Sequence, residues 1–111
     1  MIQEIRIKNF LSFKDEMTFS FEATRDKFAE DYQVVKMPDG TRLLRFAMVY
    51  GANASGKSNL LCIFDFLRSF WLHATENLTE TTHSIPFMFD TESPNSPSHL
   101  ELFFYVEGLR Y

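Results

Sequence analysis

The chain has 111 residues, enough for one domain with a core and too short for two domains of common size. Apolar residues make up 45% and charged residues 23%, a balance that excludes a disordered tail. Acidic residues outnumber basic ones by 15 to 11, a net charge of −4, which argues against a free-standing nucleic-acid binder.

The single cysteine, Cys62, allows no disulfide within the chain, which fits a reducing compartment. The opening segment carries charge at every second or third position and no apolar run follows it, so it does not read as a signal peptide. Nothing approaches the roughly 18 apolar residues of a membrane span. The expected location is the cytoplasm, with no membrane partner.

Ile5 and Ile7 alternate with Arg6 and Lys8, the period of a half-buried strand. Residues 9–16 are polar turn material around Phe10 and Phe13. Residues 17–22 alternate strictly and read as a second strand, antiparallel to the first because the connection is short. Residues 23–31 read as a surface loop or short helix, and 32–37 as a third strand. Pro38-Asp39-Gly40 is turn chemistry: proline presets φ and glycine accepts a positive one. Residues 41–50 read as a long strand. Its end, Phe46-Ala47-Met48-Val49-Tyr50, is continuously apolar and so expected to be buried on both faces.

Residues 51–58 form a glycine-containing loop, and 59–73 a helix. Leu60, Leu61, Ile63, Phe64, Phe66, Leu67, Phe70, Trp71 and Leu72 cover most of its circumference. Such a helix is expected to be buried in a larger body, part of it outside these residues. Residues 74–84 are polar, 85–89 form a short apolar patch, and 90–98 hold Pro94 and Pro97 in a loop. Residues 100–106 read as a strand, Glu107-Gly108 as a turn, and 109–111 as the start of a returning strand. A chain that stops inside a hairpin is expected to be a fragment of a longer protein.

The chemistry lies in Gly51-Ala52-Asn53-Ala54-Ser55-Gly56-Lys57-Ser58, which matches G-x-x-x-x-G-K-[ST] without deviation. A strand here must hand over to a helix through a loop that wraps a phosphate. Two glycines permit dihedrals and close approach that a Cβ blocks. Successive N–H groups form an anion nest, and the helix N-terminus adds unpaired donors and the positive end of its dipole. Lys57 supplies a point charge for β- and γ-phosphates, and Ser58 a hydroxyl for Mg²⁺. Other residues carry less. His73, His83 and His99 lack ligand spacing and read as surface residues. Cys62 reads as a small core residue, and the phenylalanine-rich strands as core rather than a base-stacking platform. Arg25 and Lys27 read as a solvated loop.

With Ile5-Arg6-Ile7-Lys8-Asn9-Phe10-Leu11-Ser12-Phe13 ahead of the phosphate loop, the sequence resembles the N-terminal lobe of ABC-type ATPases, in particular the RecF and structural-maintenance-of-chromosomes group. Within that group it is similar to AAA-type ATP-binding proteins related to overcoming-lysogenization-defect nucleases and abortive-infection ATPases. Gly51-Ala52-Asn53 with Gly56-Lys57-Ser58-Asn59-Leu60 is similar to the group's Gly-x-Asn-x-x-Gly-Lys-Ser-Asn. Pro86-Phe87 and residues 100–106 with Gly108 and Tyr111 add to the likeness. The resemblance implies an α/β fold: a P-loop NTPase, incomplete, with an ABC-ATPase-like N-terminal lobe and an antiparallel β-subsheet over residues 1–111. It implies ATP and Mg²⁺ as ligands. The binding set would be Gly51, Asn53, Ala54, Ser55, Gly56, Lys57, Ser58 and Asn59. Asn53 would lie near the γ-phosphate, Ser58 at the metal, and Ser12 and Phe13 in the turn that flanks the nucleotide. Leu11 departs from a frequent Arg or Lys, for which Lys14 is a candidate substitute, and Ala54 replaces a frequent Gly.

Relatives carry a Walker B acid pair, a signature motif and a switch histidine, none of which this sequence contains. Catalytic residues are therefore expected beyond Tyr111, and the 111 residues alone are expected to hydrolyse ATP at little above background. The function implied is that of an ATPase which dimerises around ATP and gates a nuclease or other effector, with a DNA contact in the full-length protein. The alternative is an ATP-binding switch or tether with negligible turnover. A small kinase would need Arg-rich lid segments and a GTPase needs Asn-Lys-x-Asp; neither is present.

Overall fold

A computed structural model describes residues 1–27, 30–73 and 80–111. Its elements in chain order are β1 (Ile2–Lys8), β2 (Met17–Ser20), α1 (Glu30–Gln33), β3 (Val34–Lys36), β4 (Arg42–Leu44), α2 (Lys57–Leu72), β5 (His99–Val106) and β6 (Leu109–Arg110), with a 3-10 turn at Ser93–Asn95 before β5. They form a small α/β structure with an antiparallel sheet. The chain divides into two compact units.

The first unit comprises Met1–Ile7, Met17–Met48 and Leu100–Tyr111. Period-two burial along β1 puts Gln3, Ile5 and Ile7 inside. β2 pairs antiparallel with β1 in the register Ile5↔Phe19 and Ile7↔Met17. β5 lies on the other side of β1, where the amide of Tyr105 donates to the Met1 carbonyl at 2.7 Å. β6 completes the order β2-β1-β5-β6. The β5–β6 loop is Glu107-Gly108, with φ 51° and 82°, the paired positive values that a two-residue hairpin loop requires. A second hairpin pairs β3 with β4, Val35 opposite Leu43. Beside it, the amide of Leu44 donates to the Phe21 carbonyl at 2.8 Å. Among the described residues of this unit, Ile5, Ile7, Leu43 and Tyr105 are the buried hydrophobic ones, with Gln3 buried beside them. Tyr105 Oη donates to Asp39 Oδ2 at 2.6 Å, so the one polar atom of a buried ring is partnered.

The second unit comprises Lys8–Glu16 and Val49–His99. Its core holds Phe10, Leu60, Ile63 and Leu67, with the Phe10 and Phe66 rings 5.0 Å apart. Leu60, Ile63 and Leu67 fall at helical spacing on one stripe of α2.

Several expectations are corrected. Residues 46–50 form no strand, and Phe46, Met48, Val49 and Tyr50 are exposed. A doubly buried strand needs neighbouring strands and a covering layer, and among the described residues none pairs with this run. α2 is buried along one stripe only: Leu61, Phe70, Trp71 and Leu72 face solvent, and so does Cys62, which is not a core residue. α2 also begins at Lys57, two residues before the expected start, because Gly56 turns the chain into it. The third strand is shorter than expected, since Tyr32 and Gln33 belong to α1. β1, the Pro38-Asp39-Gly40 turn, β5 and β6 lie where the sequence puts them; β2 is antiparallel as expected but ends at Ser20, two residues short of the expected 17–22. His73, His83, His99, Arg25 and Lys27 are exposed as expected. The expected loop or short helix at 23–31 and the polar segment at 74–84 lie in part, at residues 28–29 and 74–79, outside the described residues. Among those described, no helix is long and apolar enough to cross a membrane.

Candidate functional site

The glycine loop occupies residues 51–56 and runs directly into α2. Gly51 is closely approached: a Cβ there would lie 3.2 Å from Ser55 Oγ. Ala54 takes φ 61°, a left-handed conformation that favours glycine. Gly56 takes φ 87° and stands at the N-cap of α2, its carbonyl accepting from the Leu60 amide at 2.9 Å. Among the described residues, the N–H groups of Gly56, Lys57, Ser58 and Asn59 find no acceptor, as the first turn of a helix dictates.

Lys57 folds back over the loop. Its Nζ donates to the carbonyls of Gly51 at 2.8 Å and Ala52 at 2.5 Å, and lies 3.3 Å from Ser55 Oγ. Asn53, Ala54, Ser55, Gly56, Lys57, Ser58 and Asn59 line one hollow of about 370 Å³. No carboxylate lies among them, so the local charge is the positive one of Lys57, aided by the helix dipole. The hollow therefore offers N–H donors, a cation and the Ser58 hydroxyl to an anion.

Ser12 and Phe13 belong to the same unit and meet this loop across more than forty positions of sequence. A Cβ on Gly56 would lie 3.1 Å from Ser12 Oγ and 3.3 Å from the Phe13 ring. The 9–14 turn closes through reciprocal amide bonds between Phe10 and Phe13, at 3.0 and 2.9 Å. Lys14 is the candidate substitute for a basic residue at position 11. It pairs with Asp90 at 2.8 Å, because the nearest carboxylate competes for its charge. The Lys14 ammonium and the Ser93 amide hold the Asp90 carboxyl well below the usual carboxylate range, and Asp90 in turn raises Lys14. Leu11 takes φ 50° and donates its amide to the Ile85 carbonyl at 2.8 Å.

Sequence reasoning treats Asn9 as turn material and misses its part in this unit. Asn9 is 4% exposed, with φ 50°. Its Nδ2 donates to the carbonyls of Ser93 and Ser96, both at 2.9 Å, and its Oδ1 accepts from the Phe87 amide at 3.0 Å. The available signal is asparagine's tolerance of left-handed backbone at a point where a strand must turn.

No curated protein and no solved structure matches the chain. A family model does match, over residues 46–111, more than half of the chain and including the whole glycine loop. Its description is "AAA domain, putative AbiEii toxin, Type IV TA system". An AAA domain is a P-loop, nucleotide-binding, ATPase-like domain, the chemistry to which the glycine loop, Lys57 and the open helix N-terminus are suited. The chain thus belongs to the AAA domain family of that description.

Proposed function

We propose that residues 51–59 bind the phosphates of ATP, with Mg²⁺ at the Ser58 hydroxyl. The observation that carries this reading is the junction at Gly56. There a left-handed glycine opens α2 with its first amides unpaired, beside a lysine whose ammonium already sits over the loop carbonyls. Gly56, Lys57, Ser58 and Asn59 present N–H donors to a β-phosphate, and Lys57 Nζ exchanges its carbonyl partners for phosphate oxygens. Asn53, which lines the hollow with Ser55, would lie near the γ-phosphate. Ser12 and Phe13 would border the nucleotide next to Gly56. Bound Mg²⁺ would offset phosphate charge, and the Ser58 hydroxyl is the ligand this reading assigns to it.

On this reading the chain serves an ATPase that pairs with a second copy around ATP and gates an effector such as a nuclease. A place in the RecF and SMC-like group, beside overcoming-lysogenization-defect and abortive-infection ATPases, rests on the Asn9-Phe10-Leu11-Ser12-Phe13 turn. A reducing, cytoplasmic setting rests on the lone Cys62. The second reading, an ATP-binding switch with negligible turnover, is supported by Leu11 in place of a basic residue and by the net charge of −4. Phosphate release in multiple turnovers that stops in Lys57→Ala would sink the switch reading.

The binding itself is tested by thermal melts of the chain with Mg²⁺-ATP. Ligand at a hundred times its Kd adds about 2.7 kcal/mol. For a domain of this size that is a rise of roughly ten degrees in Tm. Lys57→Ala removes the rise. An equal rise in both chains would place nucleotide elsewhere.

A further inference from the structure

None of the residues lining the hollow comes from segment 85–98, yet five polar groups of that segment bond to one residue. Asn9 Nδ2 donates to the carbonyls of Ser93 (2.9 Å), Ser96 (2.9 Å) and Pro97 (3.3 Å). Asn9 Oδ1 accepts from the Phe87 amide at 3.0 Å, and the Asn9 carbonyl accepts from Ser98 Oγ at 2.6 Å. Its own amide donates to the Lys14 carbonyl at 3.2 Å, across the turn that Asn9 begins. Both the amide side chain and the backbone of one buried residue are thus partnered throughout. Two more ties run in parallel: the Leu11 amide to the Ile85 carbonyl at 2.8 Å, and Lys14 Nζ to Asp90 at 2.8 Å. Asp90 is itself fixed by the Ser93 amide at 2.7 Å and the Ser93 hydroxyl at 2.9 Å. What this clamp holds is the turn whose tip, Ser12 and Phe13, stands against Gly56.

We infer that Asn9 is a positioning residue for the phosphate site: by clamping the 9–14 turn to segment 85–98 it presses Ser12 and Phe13 on Gly56 and so sets the aim of the loop's N–H donors. This rests on the proposed phosphate site. Asn9 touches no part of the hollow; it acts through Ser12, Phe13 and the backbone of Gly56. An anion nest depends on aim, because N–H donors a fraction of an ångström out of place lose both distance and angle. Aspartate cannot replace Asn9, since a carboxylate would face three carbonyl oxygens where the amide now donates. Because the effect passes through the phosphate loop, it falls on the phosphates and not on the base.

The test is a set of Kd values for Mg²⁺-ATP and for inorganic tripolyphosphate, by calorimetry, at a temperature where each chain is fully folded by its own melt. Asn9→Ala is expected to raise both Kd values about tenfold and equally. Asp90→Asn loosens the same clamp from the surface and serves if Asn9→Ala does not fold. It is expected to shift both ligands in the same direction by a smaller factor. Asn9→Ala with a lowered Tm but unchanged Kd values would make Asn9 structural only and overturn the inference. So would a loss confined to ATP with tripolyphosphate unaffected. If the unmodified chain binds neither ligand, the phosphate-site reading fails and takes the inference with it. If it binds both and only Lys57→Ala fails, the site stands and the role of Asn9 falls.

Discussion

Gly56 and Ala54 share the left-handed region but differ in what they cost. At Gly56 the conformation is free of charge for glycine, and an added Cβ meets Ser12 Oγ at 3.1 Å and the Phe13 ring at 3.3 Å. The Ser12 hydroxyl can rotate away, whereas the Phe13 ring would have to give by a few tenths of an ångström. Gly56→Ala is therefore expected to destabilise by more than about 1 kcal/mol and to abolish nucleotide binding. Gly40→Ala is the control: φ is 88° but nothing stands within 4 Å, so only the backbone term applies. Ala54 runs the opposite way. Its left-handed backbone costs about 1–2 kcal/mol and glycine's extra chain entropy about 0.5–1 kcal/mol, so Ala54→Gly is expected to gain up to about 1 kcal/mol. Urea midpoints of the three variants decide it, and an Ala54→Gly chain less stable than its parent would show that position 54 is not strained. The identity of the loop residues was legible because phosphate binding demands those residue types at fixed spacing. The part of Asn9 was not, since its partners lie about eighty positions away and share no pattern with it.

At the scale of elements, patterns whose partners are close in sequence were readable and the others were not. β1 and β2 alternate and meet through a short turn; β5 and β6 meet through Glu107-Gly108. Residues 46–50 have the composition of a buried strand, but composition does not supply neighbours, and the run stays exposed. α2 shows the same limit. Nine of its residues are large and apolar, yet only Leu60, Ile63 and Leu67 are buried. Apolar periodicity names the stripe that is able to pack, and packing itself decides which residues matter. Ile63 is 0% exposed and Leu61 71%. Ile63→Ala is expected to cost about 2–4 kcal/mol through lost burial and an unfilled cavity. Leu61→Ala, two positions away on the same helix, is expected to stay within about 0.5 kcal/mol. Denaturant titration compares them directly, and equal losses would mean that Leu61 is covered in solution.

Across the whole molecule, charge pairs in both units tie stability to pH in the same direction. In the first unit, the hydrogen bond from Tyr105 holds Asp39 below its ordinary value, and Lys36 does the same for Glu30. In the second, Lys14 and the Ser93 donors hold Asp90 lower still. A carboxyl whose folded pKa is depressed stabilises fully above its unfolded value of about 4 and loses that contribution as pH falls through the folded one. On the alkaline side Asp39 raises Tyr105 and Asp90 raises Lys14. Their contributions are whole below unfolded values of about 10 and fade as pH climbs through the raised ones. These groups together give a plateau between about pH 4 and pH 10, with an acid limb shared by both units. Lys14 is 54% exposed, so salt screens its share, whereas the Ser93 donors to Asp90 persist. Asp90→Asn is therefore expected to lower Tm at pH 7. The gap to the unmodified chain should narrow as pH falls below the ordinary carboxylate range toward the depressed value at which Asp90 itself takes up a proton. At high salt the gap at pH 7 should shrink without closing. Melts of the two chains that run parallel from pH 7 down to the acid limb would mean that Asp90 is not held ionised by the fold. The clamp on the 9–14 turn would then rest on Asn9 and the Leu11 amide alone.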